Sequence, residues 1–79
     1  MRIDEHNEMI KRAESKKDGV YAFKYNFYLV IDKQLAAYSD LLGNITERSY
    51  GFGVSKGKAK DRFEARDILK SYLKQFKNK

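Results

Sequence analysis

Residues 20–31, Val-Tyr-Ala-Phe-Lys-Tyr-Asn-Phe-Tyr-Leu-Val-Ile, carry the strongest constraint on what this chain can fold into. Tyr21, Phe23, Tyr25, Phe27, Leu29 and Ile31 recur at every second position, with Lys24 and Asn26 between them. Successive side chains of a strand point to opposite faces, so this period of two in aromatic and branched residues predicts a half-buried β-strand. One long strand over residues 20–31 is therefore expected, with those six side chains on its core face. The alternation accounts for the aromatic residues as core more simply than as a platform for stacked bases.

The flanking segments supply partners for that strand. Residues 3–16 hold helix formers with Ile3, Met9, Ile10 and Ala13 as apolar positions, closed by the turn signal Lys16-Lys17-Asp18-Gly19. Asp32-Lys33-Gln34 reads as a turn, residues 35–42 as either a strand or a helical turn, and Gly43-Asn44 as a turn pair. A third strand is expected over residues 45–52, with Ile45, Tyr50 and Phe52 inward. After Ser55, a helix to about residue 77 would place Ala65, Ile68, Leu69, Tyr72, Leu73 and Phe76 on one stripe. The expected class is α+β, in the order α-β-β-β-α, with a three-stranded antiparallel sheet. With 79 residues there is material for one small domain, spanning 1–79.

Composition narrows the function classes. Hydrophobic content of 42% argues for a folded chain despite 35% charged residues, and the absence of cysteine removes disulfides and thiolate metal sites. The first residues lack an apolar run of the signal-peptide type, and no stretch has membrane-spanning length, so a soluble, cytoplasmic protein is expected. No Ser/His/Asp or Cys/His set is present, so no enzyme activity and no cofactor are expected. His6 among Asp4, Glu5 and Glu8 sits on one helix turn with no second contributing segment, and it is not read as a metal site.

The net charge of +6 is localised. From Lys56 onward nine Lys/Arg face three Asp/Glu, whereas residues 1–55 hold eight of each sign. That basic element opens at Gly51-Phe-Gly-Val-Ser-Lys-Gly-Lys-Ala-Lys60, a glycine-rich turn followed by lysines, where backbone N–H groups and ammonium groups can converge on an anion.

This stretch resembles the C-terminal signature of the double-stranded RNA-binding domain family, Gly-x-Gly-x-Ser-Lys-Lys-x-Ala-Lys, with Gly51, Gly53, Ser55, Lys56, Ala59 and Lys60 in matching positions. Asn7-Glu8 followed by Lys11-Arg12 resembles the family's Asn-Glu-x-x-Gln-Lys segment. The resemblance implies two helices packed on one face of the sheet and non-catalytic, shape-selective binding of duplex RNA. It implies that Ser55 caps the second helix and that Lys56 and Lys60 meet phosphates across the major groove, with Lys58 one position away from the family's second lysine as its substitute. Glu8, Lys11 and Arg12 would lie along a minor groove, within reach of 2′-hydroxyls. Gly57 stands where the family has its second lysine, and the family's Gly-Pro-x-His element has no counterpart.

Two other readings stay open on these residues. One is a small DNA-binding domain of the integrase N-terminal type, which uses an exposed sheet face. The other is a protein-interaction or inhibitor module that keeps the fold with reduced RNA binding. The expected partner is double-stranded or structured RNA, with DNA or a nucleic-acid-processing protein as the alternatives and no membrane. The long strand also leaves pairing across a homodimer edge open.

Overall fold

The structure, a computed structural model, describes residues 3–48 and 58–78. Six elements follow in the order α1 (Ile3–Ala13), β1 (Gly19–Phe23), β2 (Asn26–Ile31), β3 (Gln34–Ser39), β4 (Ile45–Glu47) and α2 (Arg62–Lys77). The α+β class is as expected, but the sheet has four antiparallel strands, in the order β1-β2-β3-β4.

The fourth strand arises because residues 20–31 do not form one strand. Phe23 pairs with Asn26 across a two-residue turn of Lys24 and Tyr25, and Lys24 takes a φ of 55°. Such a tight hairpin matches the twist of the strands it joins. A two-residue turn also reverses which face the odd-numbered residues occupy. Tyr21 and Phe23 therefore share a face with Tyr28 and Val30, while Phe27, Leu29 and Ile31 occupy the other. Tyr25 is left in the turn, 61% exposed. A second two-residue turn, Asp32-Lys33, joins β2 to β3 with both φ values positive (54° and 62°), the pattern of a type I′ turn. The ambiguous residues after it form β3, in which Ala36 is the extra residue of a bulge between the pairs Leu29–Ala37 and Val30–Leu35.

All six residues of β2 are buried, so the sheet is covered on both sides. Met9 and Ala13 of α1, one helical turn apart, pack on Tyr28, Val30 and Leu35. Ala65, Leu69 and Tyr72 of α2 pack on Phe27, Leu29, Ile31 and Ala36 from the opposite side. The expected packing of both helices on one face is thus replaced by a helix–sheet–helix arrangement with two cores that share β2. Ile3, counted as an apolar position of the first helix, is 77% exposed. Two polar contacts tie these elements together, one between α1 and β2 and one within the sheet. Asn26 donates from Nδ2 to Glu5 Oε2 of α1 at 2.8 Å. Ser39 Oγ accepts from the Phe27 N–H at 3.3 Å.

The β3–β4 connection is organised by Asp40. Its carboxylate accepts from the N–H of Leu42, the N–H of Asn44 and the Asn44 side-chain amide, at 2.8–2.9 Å. Burial on its own would raise the carboxyl pKa, but these donors outweigh it and hold the group below its ordinary value. A depressed carboxyl contributes stability above its unfolded pKa and loses that contribution as pH falls through the folded one. Acid unfolding below about pH 4 should therefore become shallower in Asp40→Asn, as read by circular dichroism. An unchanged acid limb would rule out this role for Asp40. Gly43 follows with φ +88°, and a Cβ there would lie 2.9 Å from the carbonyl oxygens of both Ala59 and Asp61. The loop thus seats the segment that leads into α2, an arrangement closed by Ala59 N–H donating to Gly43 O at 2.7 Å.

Candidate nucleic-acid interface

α2 begins later than the glycine-rich turn suggests. Its N-cap is Asp61, whose carboxylate accepts from the Glu64 N–H at 2.8 Å, while Glu64 Oε1 accepts from the Lys60 N–H at 2.7 Å. This pair works as a capping box does, except that Glu64 reaches the N–H of Lys60, one residue before the cap. It occupies donors that a phosphate would use and places two negative charges at the helix start. The cap of α2 is thus Asp61, where the resemblance implies Ser55, and two carboxylates stand beside the helix start. Ser55 and Lys56, like Tyr50 and Phe52, lie outside the described residues.

The other expected site residues divide between the two sides of the sheet. Lys58 and Lys60 are exposed and flank Ala59, which is buried in the α2-side core. Lys58 forms a bridge with Asn44 beside β4. Glu8, Lys11 and Arg12 belong to α1, on the opposite side. Glu8 and Arg12 are bonded to each other at 2.9 Å, and the Arg12 guanidinium lies 4.6 Å from the Phe23 ring centre. Asp4, Glu5, Glu8, Arg12, Phe23 and Lys24 line one shallow recess. The sheet and its two cores lie between the described members of these two groups.

What the structure assembles instead is one flank of α2. Arg62, Arg66, Lys70 and Lys74 stand at successive i,i+4 positions, and Lys77 lies beside them one turn on. At about 100° per residue they occupy the flank next to the buried stripe of Ala65, Leu69 and Tyr72, while Glu64, Ser71 and Gln75 occupy the other flank. Asp67 stands at the border and meets Arg66 at 3.4 Å, with both groups well exposed. Among the described residues, Lys70, Lys74 and Lys77 make no ion pair. The cations rise along the axis by about 6 Å per step, comparable to the spacing of successive phosphates along one nucleic-acid strand.

The N-terminal end of this flank is aromatic. Phe63 is 48% exposed and leans against Phe27 of β2, with ring centres 6.2 Å apart. The Arg62 guanidinium lies 4.3 Å from the centre of the Phe63 ring and 5.7 Å from that of Phe27. Arg66 stands 5.7 Å and 5.8 Å from the same two rings. Two guanidiniums are thus held by cation–π contact beside one half-exposed ring. Sequence reasoning overlooked Arg62, Phe63 and Arg66, because a helix extended back toward Ser55 hides the capping box. The signal was present in Asp61-x-x-Glu64, which sets the helix start. The cation series at every fourth residue follows from there.

Comparison with protein-family models, curated proteins and solved structures gave no match for this chain. Among the described residues, no helix is long and apolar enough to cross a membrane.

Proposed function

We propose that this chain is a non-catalytic nucleic-acid-binding protein that holds a phosphate backbone along the basic flank of α2, with double-stranded RNA as the ligand class. The observation that carries the reading is the uninterrupted i,i+4 series Arg62, Arg66, Lys70, Lys74. Each like-charge pair at this spacing costs a helix roughly 0.2–0.5 kcal/mol. The series makes three such pairs, and the acidic residues of α2 that could relieve them lie on the far flank or at its border. A polyanion laid along the flank removes the repulsion and gains affinity through release of its counterions.

The choice of RNA rests on the resemblance of residues 51–60, with Lys58 and Lys60 extending the basic surface beyond the helix. Duplex RNA presents phosphates and 2′-hydroxyls rather than base edges, which suits an interface composed of point charges and guanidiniums. DNA binding through an open sheet face is less well supported, because helices cover both faces of β2.

Titration of duplex RNA, duplex DNA and single-stranded RNA at two salt concentrations tests the reading. Duplex RNA should bind most tightly, and affinity should fall steeply with salt, by nearly one unit of log–log slope per neutralised phosphate. Equal affinity for the two duplexes would remove the RNA assignment. Absence of binding to all three would leave the protein-interaction module as the better account.

A further inference from the structure

We infer that Phe63, with Arg62 and Arg66, forms a stacking site for one unpaired nucleobase at the end of the phosphate track, so that the preferred RNA carries an unpaired nucleotide beside its duplex. The inference rests on the nucleic-acid reading above and assigns a chemical class to the one part of the flank that phosphate binding does not explain. A phosphate track needs cations and has no use for a phenylalanine. Yet Phe63 occupies the first turn of α2 among those cations, nearly half exposed, while Phe27 beneath it is 8% exposed and satisfies the core. The ring is held rather than loose, since it leans on Phe27 and lies within cation–π distance of Arg62 and Arg66.

A planar aromatic surface flanked by guanidiniums matches a nucleotide, whose base stacks while its phosphate meets the cation. Base pairs inside a duplex keep their faces stacked on one another, so only an unpaired or terminal base can present its face to Phe63. The bonding at the helix start strengthens the assignment. Asp61 and Glu64 already take up the N–H groups of Glu64 and Lys60 at the helix start, so the base is the group assigned to Phe63, with the backbone turned toward Arg66 and Lys70.

The test uses three RNAs with the purified chain. These are a blunt duplex, the same duplex with a short oligouridine tail, and the same duplex with an abasic tail of equal charge. Fluorescence anisotropy should show the oligouridine tail raising affinity about tenfold over the abasic tail, the value of one stacked base. Phe63→Leu keeps an apolar contact with Phe27 but lacks the aromatic face, and it should cancel that difference between the two tails. Phe63→Ala should do the same. Equal binding of the two tailed duplexes by the wild-type chain would overturn the inference and leave the backbone reading intact. So would a uniform loss on all three RNAs in Phe63→Leu. If none of the three binds, the backbone reading fails and the stacking site fails with it.

Discussion

Replacing Lys70 and Lys74 together by glutamate is expected to weaken RNA binding by about 100-fold at low salt, with the protein folded and no less stable. Each unit charge facing a phosphate at close range is worth about 1 kcal/mol in water-like surroundings. Reversal removes two attractions and adds two repulsions, so the unscreened change is roughly 4 kcal/mol, and salt reduces it further. The log–log salt slope should fall by about two, one for each phosphate no longer neutralised. Both lysines are exposed and make no ion pair among the described residues, so the core is untouched. A glutamate at 70 would also stand four residues from Arg66, turning one repulsive pair into an attractive one, while glutamates at 70 and 74 repel each other as the two lysines do now. Thermal unfolding should therefore show an unchanged or slightly raised Tm in the same sample that no longer binds. The reading fails if affinity and salt slope are retained, because the cations would then be an ordinary solvated face.

The same flank shows what the sequence makes legible. The helix itself, its buried stripe and its excess of cations all follow from periodicity and composition. Its starting point does not follow from the glycine-rich turn, because the serine there is as good an N-cap signal as an aspartate. Only the reciprocal bonding of Asp61 and Glu64 decides between them, and that bonding moves the candidate site from a helix end to a helix side. The β1–β2 hairpin escaped for a related reason. Lys24-Tyr25 contains neither glycine nor asparagine, the residues that usually announce a turn with positive φ. The alternation of residues 20–31 runs through it without a visible break, because a two-residue turn preserves the period while exchanging the faces. The Asp32-Lys33 turn was legible, since an aspartate there ends an apolar run. Which helix covers which face is a tertiary property, and it became visible only once the sheet register assigned Tyr28 and Val30 to α1.

That exchange of faces can be read in unfolding experiments through two substitutions with opposite expectations. In a single strand over residues 20–31 with one buried face, Tyr25 points to the core and Val30 to solvent. In the structure Val30 is fully buried between Met9, Ala13 and Leu35, and Tyr25 is an exposed turn residue. Val30→Asn removes about 1.5–3 kcal/mol of apolar burial. It also leaves an amide without partners in the α1-side core, at a cost of about 1–3 kcal/mol. A loss of about 3–5 kcal/mol is expected in a domain whose total stability, at its size, is of order 4–12 kcal/mol. Tyr25→Asn should change stability by no more than about 0.5 kcal/mol, as surface substitutions do. Urea unfolding followed by circular dichroism gives both values. A tolerant Val30 with a sensitive Tyr25 would restore the single long strand, and with it the packing of both helices on one face. The expected order places α1 on its own side of the sheet, and only then is the basic flank of α2 left to bind alone.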